Sequence, residues 1–240
     1  MKLTYIYHSA YAVEFGGLTL IFDYYRDSDD SGKNGVVHNR LLKNEGPIYV
    51  FSSHSHRDHF NKEALKWIEQ RNDITYIFSK EILDSGKAKE DDAVFLDKLE
   101  SYQDDNLIVK AYGSTDIGGS FYIETNGKAI FHAGDLNNWH WKDESTPDEV
   151  AEAESYYQQE LDLLSGEVKH IDIAMFPIDP RLHVDYMLGA EQFVSAIQVD
   201  YLAPMHFGNH YNKVAAFEPF AAKHGCKCIC WKERGESVII

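Results

Sequence analysis

The segment FSSHSHRDHF, residues 51–60, places three imidazoles and a carboxylate within six consecutive positions: His54, His56, Asp58 and His59. In an extended segment residues two apart share a face, so His54, His56 and Asp58 can point the same way. His59 joins them only if the chain turns. Such a turn would let His54 and His56 serve one metal ion while Asp58 and His59 serve a second. Imidazole nitrogen and carboxylate oxygen suit Zn2+, with Mn2+ and Fe2+ as further fits. A lone histidine is ordinarily a surface or core residue, but the H-x-H-x-D-H spacing reads as a metal-binding pattern rather than a polar turn.

The neighbouring residues fix where the cluster must sit. PIYVFSS before it is a buried-type strand, and NKEALKWIEQ after it has helical spacing of Ala64, Leu65 and Ile68 around Trp67. The donors therefore lie at a strand's end, ahead of a helix. Residues 1–23 read as a meander of strands at 3–7, 11–15 and 18–23, with a glycine pair at 16 and 17 for a turn. Residues 24–46 are polar and rich in turn formers, which predicts a long loop beside a site. Further strands are expected near 74–78, 93–99, 106–112, 120–125 and 128–133, and a long acidic helix at about 146–165. In the last third, IDIAMFPI and YLAPMH (strands) alternate with GAEQFVSAIQ and VAAFEPFAAKHG (helices), and two short strands follow. This repeats the rhythm of the first third, so two αβ halves around one core, a single domain over residues 1–240, is the simplest architecture.

Composition narrows the function classes. With 23 Lys and Arg against 39 Asp and Glu, the net charge of -16 repels polyanions, so no nucleic-acid partner is expected. No apolar stretch is long enough for a signal sequence or membrane span, which predicts a cytoplasmic protein without a membrane partner. Cys226, Cys228 and Cys230 stand in CKCICW. C-x-C spacing is compatible with a soft-metal site, but small apolar residues along a buried strand of a reducing-compartment protein is the better reading.

With HSHRDH at its centre, the sequence resembles the metallo-β-lactamase fold superfamily of metal-dependent hydrolases, and the resemblance continues in order along nearly the whole chain. It implies an α+β fold, a four-layer αββα sandwich of two mixed sheets flanked by helices. It implies that Asp23, ending LTLIFD, supports the histidine turn from behind the ligands. FHAGD matches the family's Gly-Asp motif, making Asp135 the carboxylate that bridges two metals, and APMHFG makes His206 a ligand of the second metal. YHSAYAVEFGGLTLIFD, HAGD and PMHFG are most similar to the lactonase-like branch that includes ascorbate-6-phosphate lactonase.

One departure concerns the family's third histidine, which completes the first metal site. The corresponding region reads VKAYGSTDIGGSFYIE and holds no histidine; Ser114 falls nearest its place, and Asp116 is the nearest strong ligand. Asp116, a histidine from elsewhere such as His8, His132 or His140, or water alone are the completions open to the chain. A second-site-dominant centre with one or two metals follows.

Other residues have two readings each. His132 either approaches the pocket or is a core histidine bonded to backbone. His140, between Trp139 and Trp141, is a candidate for the pocket rim and for catalysis. His8 either protonates a leaving group or ties two strands together. Arg181 and Tyr186, in a loop stiffened by Pro177 and Pro180, either contact an anionic or sugar-like substrate or are solvated. His38, His170, His183, His210 and His224 read as surface residues.

The resulting expectation is a hydrolase that turns a metal-bound hydroxide on a small-molecule lactone or phosphate ester, with Asp58 orienting the hydroxide or accepting its proton. The rivals are a nuclease-like phosphodiesterase, redox chemistry at a di-iron centre, and a metal-binding protein without turnover. His56 stands where the di-iron members carry a glutamate, which favours hydrolysis.

Overall fold

The computed structural model describes residues 1–240. Its strands are β1 (Lys2–Tyr7), β2 (Ala10–Phe15), β3 (Leu18–Phe22), β4 (Ile48–Ser52), β5 (Ile74–Ser79), β6 (Val94–Leu96), β7 (Ser101–Gln103), β8 (Leu107–Tyr112), β9 (Ser120–Thr125), β10 (Lys128–His132), β11 (His170–Pro177), β12 (Gln198–Met205), β13 (Lys227–Cys228) and β14 (Ser237–Ile239). The chain divides into two compact units, Met1–Asp97 with Trp231–Ile240, and Lys98–Cys230. Each unit contains one mixed seven-stranded sheet.

In the first unit the order is β14-β1-β2-β3-β4-β5-β6. β14, β1, β2 and β3 pair antiparallel, and β3 to β6 pair parallel. The predicted meander is thus present, followed by strands that all run the same way. Parallel strands bring their C-terminal ends to one edge, so the residues just after β3 and β4 collect there. Those residues are Asp23 and the Ser53–His59 turn. An apolar core that includes Ile6, Ala12, Val50, Trp67 and Phe78 holds this sheet to its helical segments.

The segment after the histidine turn departs from expectation. Lys62–Glu69 is a 3-10 helix, not an α-helix. With three residues per turn, Ala64 and Trp67 eclipse on the buried face, while Ile68 rotates outward and is 51% exposed. The 24–46 loop also contains ordered turns, a helix at Val36–Asn39 and a 3-10 turn at Leu41–Lys43. His38, expected at the surface, is anchored there, with Nδ1 2.7 Å from Oδ2 of the buried Asp27.

The second unit repeats the plan: β7 to β10 pair antiparallel and β10 to β13 pair parallel, in the order β13-β12-β11-β10-β9-β8-β7. The C-terminal ends of β10, β11 and β12 lead to Asp135, Asp179 and His206. The acidic helix spans Pro147–Glu167, started by a capping box in which Thr146 and Glu149 bond each other's backbone N–H. Its Tyr157 hydroxyl donates to Gly189 O in the helix Leu188–Ala196 at 2.7 Å. Phe193 of that helix stacks on Phe176 and Phe131, with centroids 4.5 and 5.5 Å away.

VAAFEPFAAKHG forms two helices, Tyr211–Ala215 and Glu218–Lys223, rather than one. Pro219 has no N–H to give to the preceding turn and its ring clashes with that turn's carbonyl, so it opens a new helix instead. The cysteine segment is also corrected. Its strand is only two residues long, with Cys226 buried, Cys228 and Cys230 partly exposed, and all three thiols free. No helix is long and apolar enough to cross a membrane.

Candidate metal-binding residues in the two units

In the first unit the chain turns directly after His56: the backbone N–H groups of His59 and Phe60 both donate to His56 O at 3.0 Å. This bend is what His59 needs to join His54 and His56, and their rings do converge. The His54 and His59 centroids lie 4.0 Å apart, and His54 Nε2 lies 3.1 Å from His56 Nδ1. Ser55 pins the loop by giving both its N–H and its hydroxyl to Glu81, at 2.7 and 2.8 Å. No local sequence pattern links Glu81 to a turn 26 residues before it.

Asp23 sits behind the rings, 1% exposed. Its Oδ2 lies 2.7 Å from His59 Nδ1, and the carboxylate also accepts the Ser53 N–H and hydroxyl at 2.7 Å each. Since the single Ser53 hydroxyl proton goes to Asp23, Ser53 Oγ accepts from His54 Nδ1, 3.0 Å away. Both buried rings therefore carry their proton on the anchored Nδ1, which leaves Nε2 unprotonated. A metal-ligating histidine is ordinarily oriented in this way.

His8, just after β1, places Nε2 3.3 Å from Asp58 Oδ2. The His8 hydrogen bond holds the Asp58 carboxyl well below the usual carboxylate range, outweighing burial. His8 therefore engages the histidine turn itself. Backbone at His8 (φ 56°) and Asp23 (φ 43°) is left-handed, a conformation costly for non-glycine residues and held by the surrounding contacts.

The second unit presents Asp135 and His206, both nearly buried, with Asp135 Oδ1 2.7 Å from His206 Nε2. His206 Nδ1 faces Oδ2 of Asp179 at 3.4 Å. This again is a ring with a carboxylate on Nδ1 and Nε2 toward the other donor. Burial lowers the His206 pKa, but the Asp135 and Asp179 carboxylates outweigh it and raise it to about 10. Asp179, fully buried, is clasped by Arg181, whose Nε lies 2.9 Å from Oδ2. The sequence marks Asp179 only as an aspartate at a strand's end before Pro-Arg.

The remaining candidates fall into place around Asp135. In the segment that lacks the family's third histidine, Thr115 Oγ1 clamps the Asp135 turn, donating to Asn137 O and accepting the Asn137 N–H at 2.6 and 2.9 Å. Ser114 Oγ accepts the Asp116 N–H at 3.3 Å, and Asp116 is exposed. Trp139 Nε1 donates to Asp135 O at 2.8 Å. His132 is fully buried and accepts the Gly134 N–H on Nδ1, as expected for a core histidine bonded to backbone.

His140 is corrected: it is buried, not at a rim, with Nε2 3.3 Å from Asp185 O and Nδ1 accepting the Lys142 N–H. Engaged by backbone at both nitrogens, it ties two loops together. The side chain of Arg181 remains 64% exposed despite its partner. Tyr186 donates to Lys213 O and lines a cavity of about 340 Å³ with Lys142, His183 and Glu191.

The donor set fits a divalent metal ion. Imidazole nitrogens and carboxylate oxygens converge within each unit, and His54, His59 and His206 each turn Nδ1 to a supporting oxygen. Residues 2–151 match the family described as the beta-lactamase superfamily domain, and the chain belongs to the metallo-β-lactamase superfamily.

Similar solved structures extend the likeness over the whole chain. Igni18, a metallo hydrolase from the archaeon Ignicoccus hospitalis, superposes with a TM-score of 0.69 at 18% identity, covering 99% of this chain and 97% of that one. The metallo-β-lactamase fold protein YhfI from Bacillus subtilis gives 0.62 at 12% identity, covering 99% and 98%. CmlA, a diiron β-hydroxylase from Streptomyces venezuelae, gives 0.68 at 13% identity over 100% of this chain and 54% of its own. At these identities the likeness establishes the fold alone.

Proposed function

We propose that the protein is a metal-dependent hydrolase of a small molecule, with a lactone or phosphate ester as its substrate, as in the lactonase-like branch. The candidate ligands are His54, His56, Asp58 and His59 in the first unit and Asp135 and His206 in the second, for one or two ions in all, with Zn2+ as the leading metal. The observation that carries the reading is the shared orientation of the buried rings: His54, His59 and His206 each have Nδ1 against an oxygen of Ser53, Asp23 or Asp179. A histidine that only fills a core has no need of this common arrangement.

A divalent ion held by these residues would supply Lewis acidity and make a water molecule acidic enough to ionise near neutral pH. The chain's own residues do the rest. Asp58, kept ionised by His8, is suited to accept a hydrogen bond from the attacking water and orient it. Its depressed pKa makes it a weak proton acceptor, so orientation is its better role. Asp23 and Asp179 keep the rings from rotating. The chain's acidity argues against a nucleic-acid substrate.

Redox chemistry at iron is the second reading, favoured by the fold shared with CmlA and opposed by His56 in the HSHRDH turn. Elemental analysis of protein purified without added metal, beside an Asp135→Ala variant, tests both. Zinc or manganese bound specifically to the wild type and reduced in the variant supports the hydrolase. Iron with a visible absorption band supports the redox reading, and no specifically bound metal overturns both.

A further inference from the structure

In a chain of net charge -16, one cavity of the first unit is strongly basic. Its volume is about 690 Å³, and Arg26, Lys33, Arg57 and Lys62 line it against a single acid, Asp30. None of these four cations forms an ion pair with a carboxylate. Uncompensated positive charge gathered at a concave surface focuses the field there and attracts anions.

The walls are built rather than loose. Buried Asp27 accepts the N–H groups of Ser28, Val37 and His38 at 2.8, 2.9 and 3.0 Å, fixing the loop that carries Arg26. Asp29 accepts the N–H groups of Lys33 and Asn34 at 2.9 and 3.0 Å. Asn61 Nδ2 donates to Tyr25 O at 2.8 Å, joining the loop to the segment that follows the histidine turn. The Arg26 guanidinium rests over the Tyr7 ring, 5.2 Å from its centroid, which limits its freedom without neutralising it.

We propose that this cavity is the subsite for a phosphate-type dianionic group of the substrate. The inference rests on the hydrolase reading for its purpose, because Arg57 stands between His56 and Asp58 in the HSHRDH turn and so couples the cavity to the candidate metal ligands. Two guanidiniums, each able to take two oxygens, and two ammonium groups match the charge and geometry of a phosphate monoester better than those of a monoanionic carboxylate.

The test is a calorimetric titration of inorganic phosphate, and separately of acetate, into the full chain as purified. The variants are Arg57→Gln, Lys62→Gln and their combination, with the exposed Lys87→Gln as control, and metal content is measured for each. Arg57 and Lys62 are exposed, so melting temperatures are expected to stay at the wild-type value. The inference expects phosphate to bind more tightly than acetate, to weaken about tenfold in the double variant, and to be unchanged in the control, with metal content unaltered. Absent phosphate binding, undiminished binding in the double variant, acetate binding as tightly, or equal loss in Lys87→Gln would each overturn it. Phosphate binding by a wild-type protein that contains no metal would sink the hydrolase reading and leave the anion site standing.

Discussion

Asp23 Oδ2 stands 2.7 Å from His59 Nδ1, at the ends of two adjacent parallel strands and their loops. One carboxylate thus sets which nitrogen of His59 carries the proton, and through Ser53 it sets His54 as well. Asn at position 23 keeps the size and tolerates the left-handed backbone, but it loses the charge that fixes both tautomers. Asp23→Asn is expected to lower metal affinity roughly tenfold to hundredfold with little change in fold. Competition against a chelator, with circular dichroism as the fold check, measures this; wild-type affinity would remove Asp23 from the supporting role.

His206 and Asp179 make the corresponding pair in the second unit, with Nδ1 and Oδ2 3.4 Å apart. Asp179→Asn removes one of the two carboxylates that raise the His206 pKa to about 10. In metal-free protein the His206 titration followed by NMR is therefore expected to shift downward. Metal retention should weaken by about the margin given for Asp23, since the ring loses its anchor. Arg181→Gln, which leaves the carboxylate in place, is expected to have the smaller effect; an equal or larger effect would show that Arg181 does more than hold Asp179.

The two pairs also show why one was legible in sequence and the other was not. Asp23 ends an apolar run, LTLIFD, a local pattern that also carries the family resemblance. Asp179 gains its role from the parallel register of β11 and β12, which sets Pro177 opposite Met205 and lets Ile178 donate to Met205 O. No local pattern contains that pairing. The same contrast holds for the elements. The meander and the acidic helix follow from alternation, a glycine turn and a capping box, all local signals.

The misread elements turn on effects that side-chain pattern does not record. The apolar spacing of NKEALKWIEQ suits an α-helix, yet the segment winds as a 3-10 helix and turns Ile68 outward. The helical turn Lys80–Asp84 is too short for apolar periodicity to mark, although its Ser79 cap accepts the Glu81 N–H and its Glu81 side chain pins the histidine loop. β7 is three residues long and largely exposed, too short for alternation to show. Flanking tryptophans point His140 to a rim, whereas its two backbone contacts come from the fold of a distant loop and its own turn.

The last prediction concerns acid stability. Glu14 on β2 accepts from Arg40 and from Asn44 Nδ2, the latter at 3.0 Å, so it ties the meander to the loop ahead of β4. Burial opposes its ionisation, but the hydrogen bonds from Arg40 and Asn44 and the charges of Arg40 and Lys2 prevail, and its pKa falls below the ordinary 4.5. Because the folded pKa lies below the unfolded one, the ionised carboxylate favours the folded state. That contribution is fully present above the unfolded value and disappears as pH falls through the folded one. Partial exposure screens the pair, so Glu14→Gln is expected to cost about 1 kcal/mol at pH 7. The gap between wild type and variant should begin to narrow near the ordinary 4.5 and close as pH falls through the lower folded value, where both side chains are neutral. Urea midpoints at pH 7, 5 and 3.5 measure it, and a gap independent of pH would mean that packing, not charge, accounts for the role of Glu14.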